Sequence, residues 1–572
     1  MPFRDAHPDK LRTRSLLCTW FWAAAFLFAV FFCFFSALPV RAAERNSGHP
    51  PEQEQPQEAS PPGFQFSDVE QKARDLAGQA FQNPDGQVPD FLLELGVAEW
   101  NRIRFRSENA LWKDEGLPFE VQFFHPGFIY NRVAAMNVVD QGRPARYSFG
   151  GYMFDHGDTG LAERVSQVPL GFAGLRLHFP LNWPGTKDEV AVFLGATYFR
   201  SVGKNTGYGL ASRGVALNTA MPDGEEFPYF REFWLVKPEP EDRSFTLYAL
   251  MDSPSMTGAF RFVVTPGTST VMDVKSTLFP RRGAQIPAKI GLAPLTSMYL
   301  YSELENGSQS DYRPEVHNSD GLLLTTGGRD WIWRPLSNAS RLAVNSFTMQ
   351  NPRGFGLLQR DDNFDHYQDI EARFERRTSL WIEPEGDWGP GRLELIEIPS
   401  RIDIHDNILA FWIPDKKAES AAGNGGGGGM ASFPSSLSLT YRMYWMAPNV
   451  TPHDLGRAVA TRLVRDVERG RARYIIDFES AALNALPADT GLSSVIETPP
   501  QCPVLEKQLI KNPATGGWRL DFTVALARPD GVVQSILSAR DAPPRQRFRA
   551  LLKKGENLPD PLTEAWVYDM PF

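Results

Sequence analysis

The chain has 572 residues, 42% hydrophobic, 12% aromatic and 22% charged, with 47 Gly, 46 Pro and 3 Cys. At roughly 100–200 residues per domain this allows about two to four domains, and the apolar content excludes a disordered, collagenous or coiled-coil chain. Net charge is −9, and beyond residue 43 there are 54 basic and 66 acidic side chains; an acidic body without a basic stripe argues against nucleic acid and anionic membrane surfaces and suits a neutral ligand.

Residues 1–42 place Lys10, Arg12 and Arg14 before an apolar run from Leu16 to Val40, followed by Arg41-Ala42. This is the pattern of a secretory signal peptide cleaved after Ala42, and an uncleaved anchor is the alternative. The expected location is the periplasm. Cys18 and Cys33 fall inside that segment, which leaves Cys502 with no internal disulfide partner. Residues 43–63 are rich in Pro, Glu and Gln and read as a disordered leader. The spacing of Val69, Ala73, Leu76 and Ala80 predicts a helix from Phe66 to Ala80. From about Leu93 short alternating segments dominate, such as Phe245, Leu247 and Ala249 against Thr246 and Tyr248, with similar runs at Ala259–Thr265 and Thr268–Phe279. They predict an all-β architecture, in a first domain over 64–414.

A Gly-rich linker over 415–436 contains five consecutive glycines from Gly425 to Gly429. Beyond it, Leu437, Leu439, Tyr441, Met443 and Trp445 alternate with polar neighbours, and so do Trp518, Leu520, Phe522, Val524 and Leu526. With strands near Arg473–Phe478 and Gly531–Ala539, residues 437–572 read as an immunoglobulin-like β-sandwich. A helix is predicted from about Thr451 to Val467.

The sequence lacks the phosphate-loop, dinucleotide, zinc-protease and nucleophile-elbow motifs, and no metal or organic cofactor is expected. Aromatic, basic and acidic residues crowd together over 311–412. Flat rings stack on sugar C–H faces while planar polar groups bind hydroxyls, and glycosidic chemistry calls for paired carboxyls. That mixture makes the chain a carbohydrate candidate. Core packing of Trp331 and Trp333 is the alternative reading.

Several stretches resemble one family, the periplasmic glucan biosynthesis proteins (OpgG/OpgD, also MdoG/MdoD). They are Phe193–Arg200, Tyr208–Leu210, Ser212–Gly214, Gly224–Pro228, Asp252–Pro254, Ala293–Met298, Trp331–Pro335 and Gly354–Arg360. The run Phe364–Asp369 leans toward the D-type branch. The resemblance implies a large mutarotase- or sugar-hydrolase-like β-sandwich followed by a smaller immunoglobulin-like one. It also implies action on osmoregulated periplasmic glucans with a β-1,2-linked glucose backbone, as an inverting glucanase or transglycosylase. The family's general acid falls on Asp406, within His405-Asp406-Asn407-Ile408, and a general acid should gain a raised pKa from burial or nearby acids.

The family's general base, the first Asp of a His-Asp-Ser-Asn/Asp-Gly-Leu run, falls on Asn318, and an amide cannot take the proton. Phe374 also stands where a Tyr is expected. Three explanations stay open: Asp320 has taken over, Asp311 or Glu315 serves, or hydrolysis is lost. Trp331, Trp333, Arg334, Arg360, Asp361, Tyr367 and Trp412 are the expected cleft-lining residues, with packing or a structural salt bridge as alternatives. Expected partners are β-1,2-glucan chains and, under the reading of a non-catalytic binder, the inner-membrane glucan glucosyltransferase. A mutarotase-like epimerase is a third reading, for which no His/Glu acid–base pair is found.

Overall fold

The computed structural model describes residues 63–305, 311–415, 434–466, 468–526, 546–555 and 560–570. The expected signal peptide, nearly all of the leader, most of the linker and the strand expected at Gly531–Ala539 lie outside the described residues.

The alternating segments form strands, and the described chain is mostly β. Two large sheets hold most of them. One has ten strands, all antiparallel, and within it Ala211–Arg213, Ile290–Ser297, Ile408–Pro414 and Gly391–Glu397 lie side by side in that order. The other has fourteen strands, including Phe245–Asp252, Met256–Thr265 and Thr270–Pro280. A period of two sends alternate residues to opposite faces of a strand. Phe245, Leu247 and Ala249 accordingly enter one apolar core together with Leu292, Leu295, Leu395 and Trp412 from the ten-stranded sheet. On the opposite face, Trp234, Leu250, Ala259 and Phe279 bury Val69, Ala73 and Ala77 of a helix over Phe66–Ala77.

Leu437–Met446, the strand that follows the linker, pairs with Thr270–Pro280 on one side and Ser379–Glu385 on the other, inside the fourteen-stranded sheet. A separate four-stranded sheet contains Arg457–Asp466, Arg471–Glu479, Trp518–Ala525 and Val504–Lys511. Its inner face packs Tyr474, Ile476, Phe522 and the buried Cys502 against Phe548 and Trp566.

The helix expected over Thr451–Val467 is instead the strand Arg457–Asp466. A β-bulge between Ala458 and Ala460 shifts the alternation by one. Ala458 and Thr461 therefore both face inward, a three-residue spacing that imitates a helical face.

Candidate functional site

Asp406 sits just before the strand Ile408–Pro414, at the end of the ten-stranded sheet. Asn407 fixes it there: its side chain accepts from Tyr299 N at 2.8 Å and donates to Tyr299 O and Ile398 O, each at 2.9 Å. The Asp406 carboxylate accepts a hydrogen bond from Thr296 Oγ1 at 3.1 Å. Asp406 is exposed, against the burial expected for it, and His405 beside it is exposed too.

A turn with positive φ at Gly195 (+75°) and Ala196 (+45°) brings Tyr198 to this end of the sheet. There Tyr198 pairs in register with Arg213, whose guanidinium lies 4.5 Å from the Tyr198 ring centroid. Arg213 is held by Glu225 at 2.6 Å. Burial pushes the Tyr198 phenol up, Arg213 draws it down and Asp406 pushes it up again, so the phenol stands within electrostatic reach of Asp406.

The 315–320 segment is anchored beside the same strand end. Asn318 N donates to Met298 O at 2.8 Å, and Ser319 Oγ meets Ser297 Oγ at 2.8 Å. Thr296 and Met298 are two positions apart on an extended chain, about 7 Å, so Asp406 and Asn318 hang from neighbouring points of one segment. Asn318 is buried and its Oδ1 has no hydrogen-bond partner.

His317 is fully buried, and its protonation can be read from its neighbours. Gln359 Nε2 faces three acceptors: the Tyr367 hydroxyl at 2.7 Å, Phe374 O at 3.1 Å and His317 O at 3.3 Å. Gln359 Oε1 must then accept from His317 Nδ1, at 3.0 Å. His317 Nε2 faces the Glu315 carboxylate at 3.0 Å and Asp320 Oδ1 at 3.5 Å. Both ring nitrogens thus donate, which is the imidazolium form. Burial works against that charge, but Asp320 and Glu315 outweigh it and carry the ring to about 9.

Asp320 also accepts from the backbone N–H of Arg360 and, at 3.0 Å, of Asp361. Burial, then the charge of Asp320, push Asp361 up to about 6, and the Asp361 carboxylate contacts His366 Nδ1. Glu303 is pushed up to about 8 by burial and by Glu315. Asp311 is tied to Arg313, which holds it down to about 2; Arg313 also bridges Asp369 and Asp403.

Glu315, His317 and Asp320 bring ligand atoms within 4.8 Å of one another, as do Glu315, Asp361 and His366. Metal ligation needs a neutral imidazole. The first set instead holds an imidazolium between carboxylates, and the second commits His366 Nδ1 to Asp361.

Most of the expected cleft residues lie elsewhere. Trp412 is wholly inside the main core, with no ring face open to a sugar. Arg334, also without exposure, pairs with Glu397 at 3.1 Å and lies 3.8 Å from Asp569. Trp333 is buried under the Arg360 guanidinium, 3.4 Å from its ring centroid. Arg360 in turn forks onto Glu564 at 2.5 and 2.8 Å. Tyr367 is buried against Gln359, and Trp331 lies tilted against Trp381 at 5.5 Å and His453 at 4.6 Å between ring centroids. Trp412, Arg334, Trp333, Arg360 and Tyr367 are buried in the framework, whereas Trp331 is only half-buried. Of that group Asp361 and Tyr367 belong to the cluster around His317, the Tyr367 ring meeting the imidazole edge-on at 5.2 Å, and Arg360 reaches it through its backbone N–H. Thr296, which bonds Asp406, and Tyr198, which lies under Arg213 within electrostatic reach of it, fall inside stretches that carry the family resemblance.

The family model described as "Periplasmic glucan biosynthesis protein, MdoG" matches residues 64–570. The chain is 37% identical over 519 residues to Glucans biosynthesis protein G of Pseudomonas paraeruginosa, covering 89% of this chain and 93% of the relative. It is 39% identical over 517 residues to Glucans biosynthesis protein G of Ralstonia nicotianae, covering 89% and 96%. These relatives carry the G name, which corrects the lean toward the D-type branch taken from Phe364–Asp369.

Proposed function

This chain belongs to the family of periplasmic glucan biosynthesis proteins, and from that premise we propose that it acts on the β-1,2-glucan backbone of osmoregulated periplasmic glucans, with Asp406 as general acid. The observation that carries the reading is the anchoring of Asp406 and the 318 position two residues apart on one segment, through Thr296 and Met298. Inverting glycosidases hold their two carboxyls about 6.5–9.5 Å apart, leaving room for a nucleophile, and anchoring to neighbouring points of one segment brings the two positions close together. In the reaction Asp406 gives its proton to the glycosidic oxygen as the C1–O bond breaks. Water (hydrolysis) or a sugar hydroxyl (transfer) attacks C1 from the opposite face. The nucleophile's proton passes to a carboxylate of the Glu315–Asp320–Asp361 group, since Asn318 cannot take it.

The same reading takes the two large sheets as the sugar-hydrolase-like β-sandwich and the four-stranded sheet with its packing partners as the immunoglobulin-like one. It also places the protein in the periplasm after cleavage of the signal peptide.

Asn318 favours a second reading, a glucan-binding partner of the inner-membrane glucosyltransferase that does no chemistry. Mass spectrometry of linear β-1,2-glucan incubated with the purified protein separates the two. Shortened, branched or cyclised products support the enzyme; glucan that is bound but unchanged supports the carrier.

A further inference from the structure

Away from Asp406, an open hollow of about 570 Å³ is lined by Met136, Tyr147, Phe149, Gly150, Tyr152 and Phe172, among others. It has the mixed lining and size of a small-ligand site. Tyr152 is 71% exposed although it is a large aromatic. Its ring lies directly on the Gly150 backbone: a Cβ at Gly150 would come 2.3 Å from Tyr152 Cε1. One ring face is thereby supported by main chain and the other stands open, which is how a stacking platform is built. Tyr147 and Tyr152 also border a second hollow of about 290 Å³, whose rim supplies Glu108, Asn109, Lys113 and Asp114. Polar groups able to bind hydroxyls therefore flank the platform.

The Tyr152 hollow is not isolated. Through Ala134 it adjoins a third hollow, of about 250 Å³, lined by Tyr130, Arg132, Phe227 and Tyr229. Phe227 lies under Arg213, 5.6 Å from the guanidinium, and Arg213 covers Tyr198, the phenol that senses Asp406. Aromatic rings thus recur from Tyr198 through Phe227 and Tyr229 to Tyr152.

Resting on the function proposed above, we propose that Tyr152 is the platform of a distal saccharide subsite, where a glucosyl unit of the same chain bound at Asp406 stacks on the exposed ring. The occupant is a pyranose of an extended β-1,2-glucan. A neutral sugar suits a hollow that mixes aromatic faces with acidic, basic and amide groups, and the adjoining hollow reaches Phe227, which lies under Arg213.

The test is the affinity of linear β-1,2-glucans by calorimetry, comparing a two- or three-unit oligosaccharide with chains on the order of 20 units. Tyr152→Ala should weaken the long chain by about 3- to 10-fold, as loss of one aromatic contact does, and leave the short one unchanged. Tyr152→Phe should bind as wild type. Gly150→Ala, which lifts the ring, should reproduce the loss. An unchanged long-chain affinity in Tyr152→Ala overturns the subsite while leaving the function standing. Failure of wild type to bind either length overturns the function, and the subsite with it.

Discussion

Glu564 is fully buried, and its two oxygens accept from both guanidinium nitrogens of Arg360 (2.5 and 2.8 Å), from Ala458 N (2.8 Å) and from His453 (3.0 Å). Arg360 stacks on Trp333, and its backbone N–H holds Asp320, so this pair ties the His317 cluster to the sheets behind it. Glu564→Gln keeps the shape but leaves the Arg360 guanidinium desolvated without a counter-ion, a change that costs about 3–5 kcal/mol for buried pairs. Replacing both partners with apolar residues, Arg360→Met with Glu564→Leu, should cost much less, because no charge is stranded. Burial alone would raise the Glu564 carboxyl, but Arg360 and His453 pull it down to about 2. Its contribution is therefore present above about pH 4.5 and lost as pH falls toward 2, and Glu564→Gln should remove that acid dependence. Urea denaturation followed by tryptophan fluorescence at pH 7 and pH 3 reads both effects. A Glu564→Gln penalty below about 1 kcal/mol would refute the buried-pair argument. Arg360→Ala that kept full stability while losing glucan affinity would return Arg360 to the sugar site.

Asn318→Asp restores a proton acceptor at the family's base position and should raise glucan turnover by on the order of 10²-fold, read as reducing-end release. An unchanged rate would leave the base role wholly with the Glu315–Asp320–Asp361 group. His317, raised to about 9, contributes stability that is complete below its unfolded value near 6.5 and lost as pH rises through 9. Glu303, raised to about 8, favours the folded state in its protonated form and so loses its contribution over an overlapping range. His317→Gln should consequently flatten, without abolishing, the fall of the urea midpoint between pH 6.5 and 9; a slope identical to wild type would contradict the imidazolium assignment. Thr296→Val removes the hydroxyl that steadies Asp406 at 3.1 Å and should lower turnover by about 10-fold with affinity unchanged, measured as separate kcat and KM effects.

The strands were legible where one face is buried and the other is not: Phe245, Leu247 and Ala249 alternate with half-exposed neighbours and lie in the strand Phe245–Asp252. Where a bulge resets the phase, as between Ala458 and Ala460, a strand carried the spacing of a helix. Asp406 and the change at 318 were visible through the family resemblance, because a short motif carries them. The fate of the arginines and tryptophans was not. Arg360 meets Glu564 204 positions later in the chain, Arg334 is neutralised by Glu397 and Asp569, and Trp412 faces inward on a central strand. Such pairings are set by sheet order, which local spacing does not encode. Thr296, Tyr198 and Arg213 were overlooked for a related reason. A hydroxyl, a phenol and a guanidinium become a site only when adjacent strands align them with Asp406.

The measurement closest to the central claim compares wild type with Asp406→Asn on linear β-1,2-glucan, with turnover and affinity determined for both. Turnover should fall by at least about 10²-fold with affinity within a few-fold, because the amide keeps the contact with Thr296 but has no proton to give. Turnover preserved in Asp406→Asn would contradict that claim.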